Sequence, residues 1–207
     1  MPEDARGRQR MIAGAADMIS RRGLNATSVR ELAKHTDAPL GSTYHYFPGG
    51  KYDLATEAVR WADDLTVDVL SRELAAGPLA GLQAFLAMWR KVVVDSDFHA
   101  GCPVLAVSVE DLPNEQGAPR AAAATAFTRW TTLLADSLRD AGAKSDDAQR
   151  VATLIVAAVE GTVAMCRAQR SIAPLDDVTA QLRAVVAQVL PTSAAARRGG
   201  RSRRHTT

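Results

Sequence analysis

Between Thr27 and Lys51 the chain runs TSVRELAKHTDAPLGSTYHYFPGGK, and this stretch concentrates the side chains best suited to recognition chemistry. Ser42, Tyr44, His45 and Tyr46 carry hydroxyl or ring hydrogen-bonding groups on consecutive turns, and Lys51 adds a cation. Ser42 and Tyr44 are of a size to reach a base edge or a phosphate oxygen, and Leu40 suits apolar contact with a thymine methyl. His45 and Tyr46 suit phosphate contact or packing, while Phe47 reads as core. Thr27, with Ser28 beside it, and the junction at Lys51 would present free backbone N–H groups to phosphate at two helix starts. This is the chemistry of gripping nucleic acid rather than of breaking a bond.

Short helices must position these groups. Thr27 is an N-cap candidate for a first helix whose Val29, Leu32 and Ala33 form an apolar face. Asp37 falls where the chain must turn. Pro39 suits the first position of the next helix, where its missing N–H costs nothing. Gly41 would allow close backbone approach. Two helices this short cannot bury a core alone, and residues 8–22 supply a third with Met11, Ile12, Ala15, Ala16 and Ile19 along one stripe. Three helices about such a turn predict a helix-turn-helix DNA reader, with the N-terminal part of its last helix, Leu40 to Tyr44, facing base edges.

The set Gly23, Thr27, Ser28, Val29, Leu32, Ala33, Gly41, Ser42, Tyr44, Tyr46, Phe47 and Lys51 resembles, in register, the TetR/AcrR family of bacterial transcription regulators. The PGGK at 48–51 carries one residue more than the commoner junction. With GCPV at 101–104 it resembles the LmrA/YxaF-type branch, whose members are similar to drug- or flavonoid-responsive repressors. The resemblance implies an all-α fold: a three-helix DNA-binding domain over residues 5–50, a six-helix ligand-binding and dimerisation domain over 51–191, and a basic tail over 192–207. It also implies a repressor that binds a palindromic operator as a homodimer. Family members often carry Lys or Arg where this chain has Leu40, so sequence reading would lean on shape, phosphates and apolar contact. That departure keeps an alternative open: a helical small-molecule-binding protein without sequence-specific DNA binding.

Charge is uneven although the net is only +2. Residues 1–51 carry +3, residues 52–196 carry −6, and the last eleven residues carry +5. A basic head on an acidic body keeps nucleic acid at one pole. The start, MPEDARGRQR, lacks the apolar run of a signal peptide, and no uninterrupted apolar run approaches a membrane span, so a cytoplasmic location is expected.

Beyond Lys51 the pattern predicts helices over 51–75, 79–96, 104–109, 120–141, 146–170 and 175–190, with a polar loop at 110–119. Trp61, Leu65, Phe85, Met88, Trp89, Leu105, Phe127, Trp130, Met165 and Cys166 are the candidates for a pocket taking a hydrophobic small-molecule inducer, and each could equally be plain core. Glu110, Asp111, Arg90, His99, Gln169 and Glu160 are polar candidates for orienting it. The helix from Lys51 would be the lever between pocket and reader. The run through Leu154, Ala157, Ala158, Gly161 and Ala164 is too apolar for a monomer surface. With the helix of Leu182, Val186 and Val189 it could pair with a symmetry mate, or both helices could be buried in a monomer core.

Enzyme readings lack parts. His35, His45, His99 and His205 are scattered, His99 and Cys102 make a bare H-x-x-C, and the doublet Gly49-Gly50 lacks a phosphate-loop pattern. Carboxylate doublets such as Asp63/Asp64 and Asp146/Asp147 suit helix starts and solvated faces. No metal or cofactor is expected. The tail RRGGRSRRHTT is either an electrostatic handle on DNA or a solvated end.

Overall fold

Proline punctuates the chain. Pro78, Pro103, Pro119 and Pro174 each occupy the first or second position of a helix, where φ is already right and no N–H is missed. The computed structural model describes residues 3–113 and 117–191. Among the described residues the architecture is wholly helical: α1 (Glu3–Arg22), α2 (Val29–His35), α3 (Leu40–Tyr46), α4 (Lys51–Leu74), α5 (Pro78–Asp95), α6 (Pro103–Ser108), α7 (Ala118–Asp140), α8 (Ser145–Gln169) and α9 (Ala173–Val189). The basic tail expected over 192–207 lies outside the described residues.

α4 is the spine: it packs on α1 at one end and on α5, α6 and α7 along the body. α8 lies against α7, α5 and α9. The core is continuous from the first three helices into the body, running from Met11, Ile19, Leu32 and Phe47 to Leu70, Phe85, Trp130 and Ile155. Trp130 is its largest fully buried side chain. Phe85 and Phe127 meet it edge-on at 6.1 and 5.5 Å. Its Nε1 donates to Asp63 Oδ1 at 2.9 Å, and Arg129 pairs with the other Asp63 oxygen and, at 3.1 Å, with Asp64. Burial pushes the Asp63 carboxyl above its usual range, and Arg129 opposes the shift.

Two expectations change at the helix ends. The α2 N-cap is Ser28, not Thr27: Ser28 Oγ accepts from the Glu31 N–H at 3.2 Å and donates to the Glu31 carboxylate at 2.8 Å, so hydroxyl and N3 glutamate hold each other at the helix start. Thr27 is buried and its hydroxyl donates to the Gly23 carbonyl at 2.8 Å, closing the turn after α1. Pro39 stands at the N-cap of α3 and Leu40 is the first helical residue. α8 is apolar without holding an uninterrupted apolar run of membrane-spanning length. By length and composition it is the one helix among the described residues that could cross a membrane, although half of its apolar window is buried inside the protein.

Candidate nucleic-acid interface and cavity

A left-handed residue sets the angle between α2 and α3. Asp37 has φ 48°, the Ala38 N–H donates to the Ala33 carbonyl at 2.8 Å, and the Asp37 N–H to the Lys34 carbonyl at 3.4 Å. This is a Schellman end with aspartate in place of glycine. The chain leaves it through Pro39 into α3. Thr43 and Phe47, four residues apart, then turn inward and are buried, and Tyr46 is half-buried with its ring edge-on to both His45 and Phe47. Sterics therefore force Leu40, Gly41, Tyr44 and His45 outward, with Ser42 half-exposed beside them. Tyr44 is 54% and Leu40 39% exposed.

Gly41 does not make the close internal approach its type suggested. A Cβ there would meet nothing within 4 Å, so the space above it is open to something outside the chain. Gly50 is different: φ 69° and ψ −135° place it where glycine is needed, and it caps α4. The Gly49 N–H donates to the Asp53 carboxylate at 2.6 Å, which fixes the extra-residue PGGK junction. Asn25, Ser28, Arg30, Tyr44, Gly50 and Lys51 surround a shallow groove beside α3. Lys51 is less free than its sequence position implied. Its Nζ reaches the Leu24 carbonyl at 3.4 Å and lies 5.5 Å from the centre of the Tyr52 ring. Arg30, on the exposed side of α2, adds a cation to this rim that no motif in the sequence marks.

In the body, α4, α5 and the joint before α6 line an apolar cavity of about 560 Å³ that is open to the surface. Trp61, Leu65, Met88, Trp89 and Trp130 line it, together with Cys102 and Val104. Five sequence candidates lie elsewhere. Phe85 is fully buried behind Trp89 and Trp130, Phe127 packs on Trp130, and Leu105 is half-buried on α6 without lining the cavity. Met165 is 49% exposed on the surface of α8, and Cys166 is buried beneath it. None of the six polar candidates lines the cavity. Arg90 pairs with Asp176, and Glu110 binds the turn after α1. Glu160 is buried beside the Cys102 thiol with neither oxygen hydrogen-bonded, and burial pushes its carboxyl up to about 8. The wall that sequence missed is α1: Ala13, Ala16, Asp17, Ser20 and Arg21 face the cavity. They flank the stripe that holds the first three helices together and share Ala16 with it.

On α8, Leu154, Ala157, Gly161, Ala164 and Met165 form an exposed apolar strip, and Ala158 is half-buried at its edge. A Cβ at Gly161 would meet nothing within 4 Å. Leu182 and Val186 are a correction: both are buried inside the protomer, because α9 turns that face onto α5 and α8, and Val189 is half-buried. No group of three or more potential metal ligands occurs among the described residues.

An all-helical chain with this turn geometry and an outward α3 is a helix-turn-helix protein. The comparisons with known proteins agree. Residues 11–58 match the model of bacterial regulatory proteins of the tetR family, and residues 78–181 match the C-terminal domain of LmrA/YxaF-like transcriptional regulators. An uncharacterised HTH-type transcriptional regulator of Mycobacterium tuberculosis is 39% identical over 188 residues, 89% of this chain and 96% of that protein. The HTH-type transcriptional regulator LmrA of Bacillus subtilis is 26% identical over 170 residues, 81% of this chain and 90% of its own length. The crystal structure of regulatory protein TetR from Rhodobacter sphaeroides superposes with a TM-score of 0.74 at 25% identity, covering 84% of this chain and 95% of that one. The chain belongs to the TetR family of bacterial transcription regulators, on the branch with an LmrA/YxaF-like C-terminal domain. It is a transcriptional regulator and not an enzyme.

Proposed function

We propose that this regulator is a ligand-responsive repressor which binds a palindromic operator as a homodimer in the cytoplasm and is released by a hydrophobic small molecule. The observation that carries the reading is the outward face of α3, with Leu40, Gly41, Tyr44 and His45 unoccupied by the protein's own core. Residues 5–50 act as the reading head. Ser42 and Tyr44 hydrogen-bond bases or phosphates, Leu40 and Pro39 make apolar contact, and His45 and Tyr46 meet the backbone. Thr27 closes the turn that presents Ser28, and Lys51 supports that turn while adding positive charge. The lack of a base-reading cation on α3 makes phosphate and shape contributions large.

Residues 51–191 form the body. The apolar strip of Leu154, Ala157, Ala158, Gly161 and Met165 meets its symmetry mate, which sets two α3 helices about one DNA turn apart, roughly 34–36 Å. The inducer occupies the cavity of Trp61, Leu65, Met88, Trp89 and Trp130. Its walls suit a flat, apolar molecule. Binding there stabilises a state whose heads are wrongly spaced for the operator.

The deciding experiment is binding of the purified chain to duplex DNA from around its own coding region, at moderate salt with nonspecific competitor. A discrete palindromic footprint that Tyr44→Ala abolishes, with dimerisation intact, is the expected result. Salt-sensitive, sequence-blind binding, unchanged by Tyr44→Ala, would overturn it.

A further inference from the structure

The turn between α1 and α2 ends in backbone groups that the helices cannot serve. α1 stops at Arg22, the Gly23 N–H still donates to Ile19, but the N–H groups of Leu24 and Asn25 have no helical acceptor. Both donate instead to one side chain from a distant part of the chain, the Glu110 carboxylate, at 2.6 and 2.7 Å. Leu24 is gripped from the other side as well, since its carbonyl accepts from Lys51 at the head of α4. Glu110 is itself anchored: its carbonyl accepts from Arg120 on α7 at 2.6 Å, and the neighbouring Asp111 carbonyl lies 3.4 Å from Asn25 Nδ2. Gly23, at φ 81°, completes the fit, because a Cβ there would stand 2.2 Å from Glu110 Oε1.

An acid placed at the C-terminal end of α1 and beside the groove of Ser28 and Lys51 works against both the helix dipole and a DNA partner. Its compensation is two charge-assisted hydrogen bonds to otherwise unpaired amides. From this geometry we infer that Glu110 is a positioning residue for DNA reading. It latches the α1–α2 turn to the segment just after α6, which Arg120 ties to α7, and thereby fixes the angle at which α3 is presented. The inference rests on α3 being the DNA-reading helix.

The two possible roles of Glu110 have opposite signs. If it were only a surface charge near DNA, Glu110→Gln would remove a repulsion and tighten binding. As a latch, it loses one of its two amide partners and the charge on the other, and binding weakens. The test uses the full-length dimer and a duplex selected by the wild-type protein from a random pool. Expected for Glu110→Gln are about tenfold weaker affinity, an unchanged slope of affinity against salt because no phosphate contact is lost, and unchanged dimerisation. Gly23→Ala, which forces the latch apart sterically, should weaken binding in the same manner. Equal or tighter binding by Glu110→Gln, or a shallower salt slope, would overturn the latch while leaving the DNA reading standing. A wild-type protein that selects no sequence would overturn both.

Discussion

Glu160 makes stability depend on pH in a direction opposite to that of most carboxylates. Its oxygens are buried on α8 without a hydrogen-bond partner, so the neutral form is favoured and ionisation is displaced from 4.5 to about 8. Below pH 4.5 folded and unfolded chains both hold the proton and the group is silent. Between 4.5 and about 8 the folded chain keeps a proton that the unfolded chain has lost. Each pH unit across that window then costs about 1.4 kcal/mol of stability, and the loss levels off above it. The full span corresponds to about 5 kcal/mol at alkaline pH. Glu160→Gln keeps the shape and removes the titration. Unfolding should be followed by heat or urea at fixed protomer concentration, at pH 6 and pH 9. The wild type should lose more stability than the variant between the two, with the variant's advantage at pH 9 on the order of 5–10 °C in Tm. Parallel pH profiles for the two proteins would refute the argument.

Other consequences are open to simpler measurements. Trp130→Ala removes the central ring and its hydrogen bond to Asp63, and should cost about 3–5 kcal/mol in urea unfolding. Leu154→Asp, at the N-terminal end of the α8 strip, should convert a dimer to a monomer in sedimentation and abolish cooperative DNA binding without unfolding the chain. Lys51→Ala should weaken binding to all DNA sequences about equally and lower the salt slope by less than one unit, because the amine is already drawn toward the Leu24 carbonyl. Filling the cavity with Leu65→Trp at its mouth should weaken inducer binding in a thermal-shift titration and leave ligand-free DNA binding intact.

The fold was legible because its signals are local. The spacing of Met11, Ile12, Ala15 and Ile19 and the turn at Asp37 each act within a few residues, and the helices follow them. The outward set on α3 was legible for the same reason: Thr43 and Phe47 must go in, so Leu40 and Tyr44 must go out. The cavity was only half legible. Trp61, Met88, Trp89 and Trp130 could be picked by type, but Phe85 and Phe127 share that type and are core. Which side of an apolar helix meets empty space depends on helices far away in the chain. Glu110 was singled out as polar and assigned to the wrong task, because nothing near it in sequence announces the two orphaned amides 85 and 86 residues earlier. Leu182 and Val186 show the converse. Their periodicity was read correctly, and only the packing of α9 on α5 and α8 decides that they face their own protomer.

The cavity has one wall made by α1, and that bears on how such proteins can be recombined. Ala13, Ala16, Asp17, Ser20 and Arg21 belong by sequence to the head, yet they complete the chamber in the body. The Ser20 carbonyl accepts from Gly101, and the Arg21 carbonyl from Arg167. A hybrid that grafts residues 5–50 of this chain onto a relative's body would carry its operator preference into a chamber with a foreign side. Engineers seeking a new sensor from these parts should transfer α2 and α3 alone, cutting after Arg21, or transplant the wall together with the chamber.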